Sequence, residues 1–324
     1  MAGNEQAVEV DGRRLVLRNL DKVLYPATGT TKGEVLHYIA AIAPVLLPHL
    51  ADRALSRMRW PDGVEGPMFV EKNLPAGTPD WVRRVRLPVA GSRADRETID
   101  YPVVDGLPAL IWLANLAALE LHAPQWTVGP AGSGGPAGPA GPAGSAGPAS
   151  TVLGPDRLVI DLDPGAPAGL TECARVALAV RDRLAADGLD CYPVTSGSKG
   201  MQLYAPVSGR QDAMLVHDYA RRLAESLERD QPATVTSRMT KSLRPGKVLL
   251  DWSQNHPAKT TISPYSLRGR PQPWVATPLT WAEVEAGAAD GALRQLRYDQ
   301  VLARVEQRGD LIAALLTRGP RLPT

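Results

Sequence analysis

The chain has 324 residues, 44% of them hydrophobic and 22% charged, with a net charge of +2 and two cysteines. That length suggests about two domains and a core large enough to need no staples, and Cys173 and Cys191, outside any CxxC or Cys/His cluster, exclude a disulfide framework and a cysteine zinc site. No segment supplies the roughly 18 apolar residues of a membrane span and the N-terminus lacks the apolar centre of a signal peptide, so a cytoplasmic protein with no membrane partner is expected.

Residues 1–127 read as a mixed α/β unit. Residues 8–17 predict a hairpin turning at Asp11 and Gly12. Thr31 and Glu34 have capping-box spacing ahead of the apolar stretch 35–47, a helix that Pro44 and Pro48 should kink or end. Residues 107–121 predict a strongly apolar helix. Residues 129–150 are almost wholly Gly, Pro, Ala and Ser, with a three-residue period from Gly135 to Gly147. Five triplets are too few for collagen, and nothing in them offsets the entropy of ordering, so a disordered surface loop is expected, bounded at 128–155. Over 156–324 the pattern alternates: a strand at 157–163, a helix capped by Thr171 and running to Gly188, strands at 190–195 and 201–206, a helix at 212–229, and strands at 247–252 and 261–267. Two or three helices follow over 281–316, with breaks near 287–291 and at Gly309.

Candidate chemistry gathers in this second part. On a strand, Val159, Asp161 and Asp163 share one face while Leu158, Ile160 and Leu162 pack the other. Two carboxylates separated by about 6.6 Å can converge on hard cations, although the Asp-Pro-Gly that follows is also good turn chemistry. Asp251 ends a second apolar strand. It is the one acid in residues 237–270, against seven Lys or Arg; alone it would serve equally as a charge partner. Such a basic segment suits a polyanion or a solvated face. The Gly/Ser turn from Ser196 to Gly200, with Lys199, can aim N–H groups and a point charge at phosphates, or be an ordinary hairpin turn. Arg268 and Arg270 on an extended segment present two guanidinium forks to one side, as phosphate ligands or as a protected edge strand. Of 36 basic residues only seven are lysines, Lys22, Lys32, Lys72, Lys199, Lys241, Lys247 and Lys259, each a site where a compact charge is wanted or one that chance placed. Together these are parts of a nucleotidyl transferase: metal carboxylates, a phosphate turn, and cations for triphosphate and nucleic acid.

The sequences DLDPG, TSGSKG, VLLDWSQN and KTTISPYSLRGR, preceded by LDKVLYPATGTTKGE, RWPDGVEGP and LELHAPQW, resemble in order the polymerase domain of bacterial DNA ligase D, a member of the archaeo-eukaryotic primase superfamily. The likeness runs from about residue 8 to about 315. It implies an α+β primase-polymerase fold with mixed or antiparallel central sheets flanked by helices, the N-terminal part (1–127) on the DNA side and 156–324 carrying the metal and NTP site of one polymerase module. It implies that Asp161, Asp163 and Asp251 hold two manganese or magnesium ions. His122, Ser196, Lys199, Gln202, Lys259, Arg268 and Arg270 would meet the incoming triphosphate. Lys22 and Lys32 would grip the 5′-phosphate of a DNA end, with Phe69 and Arg244 toward template or partner end. Lys32 also falls in the first turn of the capped helix, where free N–H groups favour anions.

Two positions depart from the pattern. Gln202 stands where the family motif has His, and it cannot become cationic. Val70 follows Phe69 where two stacking aromatics are usual, which weakens template grip. The expectation is therefore a nucleotidyltransferase adding nucleotides, preferentially ribonucleotides, to 3′ ends or gaps at 5′-phosphorylated DNA breaks in non-homologous end joining, near the nucleoid. Its partners would be double-stranded DNA ends, gapped DNA and NTPs, with Ku and a DNA ligase implied by the resemblance. The length leaves no room for a ligase module, so a stand-alone polymerase or a separate domain is expected. The alternatives are a DNA-end-binding module that lost catalysis through Gln202, and a primase starting chains de novo.

Overall fold

A computed structural model describes residues 5–88, 98–130 and 150–323. Strands β1 (Glu5–Val10) and β2 (Arg13–Arg18) form the expected hairpin, with Val10 opposite Arg13. Asp11 (φ 45°) and Gly12 (φ 71°) supply the two left-handed residues its tight turn demands. The short pair β3 (Val23–Tyr25) and β4 (Thr30–Thr31) delivers the chain to α1 (Lys32–Leu50). Thr31 Oγ1 accepts from Glu34 N, and Glu34 Oε2 accepts from Thr31 N at 2.7 Å, closing the capping box. Pro44 and Pro48, expected to kink or end this helix, lie inside it. Both are exposed, while Ile39, Ile42, Ala43, Leu46 and Leu50 are buried on the opposite face; that packing outweighs local penalties of about 3 kcal/mol each. Contrary to expectation, α1 is long and apolar enough to cross a membrane. Half of it is buried within the fold, against helices introduced below.

β5 (Ser56–Arg59) and β6 (Phe69–Glu71) pair antiparallel. A separate ribbon joins β7 (Arg84–Pro88) to β8 (Thr98–Pro102). Helix α2 (Leu107–Asn115) is shorter than expected: Ala117 takes a left-handed φ of 59°, and β9 (Ala118–Ala123) follows. An apolar run buried on all sides carries no period that separates helix from central strand. β10 (Trp126–Pro130) pairs antiparallel with β11 (Ser150–Pro155), so both ends of the glycine-rich segment are strand. Its centre, 131–149, lies outside the described residues.

The second part is built around β12 (Arg157–Pro164). Next come α3 (Leu170–Ala186), β13 (Tyr192–Thr195), β14 (Met201–Pro206), α4 (Ala213–Asp230), β15 (Val235–Thr236), β16 (Val248–Asp251) and β17 (Thr261–Ile262). Gly169, not Thr171, caps α3; its N–H donates to Glu172 Oε2 at 2.7 Å. The strand expected over 261–267 stops at two residues because Tyr265 turns at φ 66°. β18 (Trp274–Val275), β19 (Thr277–Pro278), α5 (Trp281–Asp290), β20 (Leu296–Arg297) and α6 (Tyr298–Arg308) complete the chain, with the expected breaks at Gly291 (φ 70°) and Gly309 (φ 66°). A six-stranded sheet runs β15-β16-β12-β14-β13-β19, antiparallel except for β15 with β16; a four-stranded sheet runs β17-β9-β5-β6. β12 alternates as expected. Leu158, Ile160 and Leu162 join the core under α3 and α4, whereas Val159 joins the core around α1 and α2. That core also takes Ile262, Tyr265 and Leu267, so residues 1–127 and 156–324 share it, while the core under α3 and α4 is built from the second part alone.

Candidate active site

Register places the acids. In the six-stranded sheet Asp161 lies directly opposite Gln202 of β14 on one side and Asp251 of β16 on the other, with Asp163 two residues along the same face. Directly paired residues have Cα atoms about 4.5–5.5 Å apart. Burial pushes the Asp161 carboxyl up to about 7, and the Asp251 and Asp163 carboxylates push the same way, against a hydrogen bond from Gln202 that lowers it. Each acid has its own protein partner. Gln202 Nε2 donates to Asp161 Oδ1 at 3.1 Å, Arg244 Nη1 is 3.5 Å from Asp163 Oδ2, and Gln254 Nε2 donates to Asp251 Oδ2 at 2.9 Å. Asp251 Oδ1 takes the N–H and hydroxyl of Ser253. Among the described residues no three acidic, His or Cys side chains already converge on one point. An all-oxygen set of three carboxylates does match what hard divalent cations require, with Arg244 beside Asp163 a cation that the protein itself supplies.

Asp161 and Asp163 border a cleft of about 340 Å³, which they line together with His122, Ser196, Lys199, Gln202, Arg268, Arg270, Ser198, Gln254 and Thr260. Asp251 and Lys259 stand outside this lining, connected through Gln254 and Ser253; Lys259 Nζ donates to Ser253 Oγ. The turn from Ser196 to Gly200 presses against β12, where a Cβ on Gly200 would sit 1.9 Å from Leu162 O. Two of its expected phosphate-facing N–H groups are already used: Gly197 N donates to Gln295 Oε1 at 2.8 Å and Ser198 N to Ser196 Oγ at 3.2 Å. Side chains, rather than a backbone cradle, therefore carry most of the turn's capacity for phosphate. Tyr204 Oη is 2.9 Å from both Gln202 Oε1 and Ile262 O, which turns the Gln202 amide nitrogen toward Asp161.

The arginines come from a segment clamped by the N-terminal part. Tyr38 Oη donates to Tyr265 O at 2.7 Å and Tyr25 Oη to Arg268 O at 3.0 Å. Gly269 faces the Trp60 ring, which a Cβ would meet at 2.2 Å. Burial lowers the pKa of Arg268, with Glu120 opposing. Glu120 was not singled out from the sequence, and it is the partner of both His122 and Arg268. Burial works to raise its carboxyl, but the His122 hydrogen bond and the Arg268 charge outweigh that and hold it below the usual range. An i, i+2 pattern in LELH signals it only once this stretch is read as strand.

Lys22, Lys32 and Phe69 stand outside the cleft lining, whereas Arg244 lies beside it on Asp163. Lys22 Nζ pairs with Asp62 at 2.7 Å. Lys32 is buried, donates to Arg18 O at 2.6 Å, and is brought down to about 8 by burial and by Lys22, Arg18 and Arg59. The free N–H groups expected in the first turn of α1 are absent. Lys32 N donates to Lys22 O and Gly33 N to Leu20 O, both at 2.8 Å, while Glu34 N is held by Thr31; any anion there depends on side chains. Phe69 is exposed beside Met68 and Val70, opposite Arg59. Arg244 folds back onto Asp163, and its carbonyl packs so closely on Gly165 that a Cβ there would meet it at 2.1 Å.

The family described as LigD, primase-polymerase domain, matches residues 31–312. The multifunctional non-homologous end joining protein LigD of Mycobacterium bovis is 48% identical over 311 residues, covering 95% of this chain and 38% of that protein. The bifunctional non-homologous end joining protein LigD of Bacillus subtilis is 30% identical over 304 residues, 91% of this chain and 43% of that protein. The chain thus spans less than half the length of these relatives. The solved polymerase domain of Mycobacterium tuberculosis ligase D in complex with DNA superposes with a TM-score of 0.83 at 47% identity, covering 94% of this chain and 98% of that one.

Proposed function

The chain belongs to the primase-polymerase domain family of LigD, and from that premise we propose that it adds nucleotides, ribonucleotides in preference, to 3′ ends and across gaps at 5′-phosphorylated DNA breaks in non-homologous end joining. The observation that carries this reading is the row Gln202–Asp161–Asp251 across three strands, opening on a cleft lined by Lys199, Arg268, Arg270 and His122. In this reading the cationic side chains bind and orient the triphosphate, and Asp161, Asp163 and Asp251 hold manganese or magnesium. Bound there, a pair of divalent cations supplies a lowered pKa for the primer hydroxyl and charge compensation for departing pyrophosphate. Arg244 stands beside Asp163 and would compete with a cation for that carboxylate. Gln202, fixed by Tyr204, keeps one lobe of Asp161 aimed along the sheet. Lys22 and Lys32 receive the 5′-phosphate, exposed Phe69 receives template bases, and Ku and a DNA ligase are the protein partners.

Extension of a primer across a gap in 5′-phosphorylated DNA, comparing rNTP with dNTP and manganese with magnesium, tests the proposal; absence of any extension defeats it. A second reading, an end-binding module with reduced catalysis, is favoured by the uncharged Gln202 amide committed to Asp161. Many-fold activation by Gln202→His supports that reading, and primer synthesis on an unprimed strand would instead favour a primase.

A further inference from the structure

Behind the cleft lies a carboxylate that touches two of its lining residues, His122 and Arg268. Glu120 and His122 are two residues apart on β9 and share a face. Glu120 has a side chain 5% exposed, and its Oε2 is 2.8 Å from His122 Nε2 and 3.3 Å from Arg268 Nη1. Its other oxygen accepts from Gly269 N at 2.9 Å. Both oxygens are thus engaged by groups from β9 and from a segment 149 residues further along the chain. That segment has no slack, because Gly269 is pressed on Trp60 and the Arg268 carbonyl is tied to Tyr25. Arg268 itself is not saturated: among the described residues its Nε is buried without a hydrogen-bond partner. A buried carboxylate is costly unless it is paired, and here the partners are a guanidinium and an imidazole that both line the cleft.

We propose that Glu120 is a positioning residue for nucleotide binding, holding His122 and Arg268 as one rigid unit that receives the triphosphate. This deepens the nucleotide-binding reading above and rests on it. Glu120 takes no part in the chemistry; it fixes where two donors stand before the nucleotide arrives, so its loss weakens ground-state and transition-state binding alike.

The test is Glu120→Gln, an isosteric neutral change, in the full chain. Calorimetric titration with magnesium ATP and steady-state primer extension should give a Kd and KM for ATP about tenfold higher, with kcat within about twofold. Affinity for a 5′-phosphorylated DNA end should be unchanged. A fall in kcat with unaltered Kd and KM, which a merely structural role would produce by reducing the folded fraction, overturns the proposal; so does no change at all. Should Glu120→Gln fail to fold, Glu120→Asp keeps the charge but withdraws it by one methylene. A smaller rise in Kd is expected there, and wild-type ATP affinity in that variant is an equally adverse result. A wild-type protein that binds ATP but extends no primer defeats the polymerase reading alone, and the Kd comparison still decides the role of Glu120.

Discussion

The two walls of the cleft are held in different ways. The acidic wall is a matter of sheet register: Asp161, Asp251 and Gln202 are neighbours because β12, β14 and β16 are hydrogen-bonded along their lengths. The cationic wall has only a short backbone pairing, with Leu267 opposite Val275 and Arg268 N donating to Trp274 O at 2.8 Å. Beyond it, Arg268 and Arg270 lean on side chains elsewhere: Tyr25, Tyr38, Trp60 and Glu120. A register survives most single substitutions outside it. A clamp made of individual side-chain contacts weakens one contact at a time, so nucleotide affinity should be more sensitive to distant changes than the acidic centre is.

The sharpest break of this comparison is Asp161→Ala. It should lower nucleotide addition by about two to three orders of magnitude while end binding in a gel-shift assay survives; near-normal extension would show that the acidic wall is not the reaction centre. Gly200→Ala comes next, because its Cβ would collide with Leu162 O. Overpacking of this kind costs about 1–3 kcal/mol, to be seen as a lower denaturation midpoint together with lost ATP binding. This is the one place where the acidic wall should prove fragile.

A pH series separates the DNA-end cluster from both walls. Folded Lys32 loses its proton at about 8, whereas the ordinary value is 10.5. Affinity for a 5′-phosphorylated end should therefore fall as pH rises from 7 to 9, and Lys32→Met should flatten that dependence. Between pH 8 and 10.5 the unfolded chain binds more protons than the folded one, so this group's contribution to stability rises with pH over that window. The smallest effect is expected for Tyr25→Phe, which removes one hydrogen bond worth about 1 kcal/mol. It should raise the KM for ATP a few-fold with kcat unchanged. A fall in kcat instead would mean that the clamp shapes the reaction centre and that the two walls are not separately held.

Local chemistry made part of this legible from sequence. The Asp11-Gly12 turn, the Thr31–Glu34 capping box, the alternation along β12 and the breaks at Gly291 and Gly309 each depend on a few adjacent residues. What escaped was decided across the chain. The stretch 107–121 divides into α2 and β9 because β5 and β17 flank β9. Pro44 and Pro48 stay helical because the other face of α1 is packed. Glu120 remained hidden for the first of these reasons, since in a helix it would not share a face with His122.

The two-residue strand β17 has a practical consequence. Thr261 and Ile262 close the edge of β9, opposite Ala123 and His122, so a strand from late in the chain completes a sheet begun early. Produced alone, residues 1–127 would bare that edge as a template for association with any other chain. Produced together, the halves on either side of residues 131–149 should dock through this seam and restore the cleft, which makes the protein a candidate for split-fragment complementation.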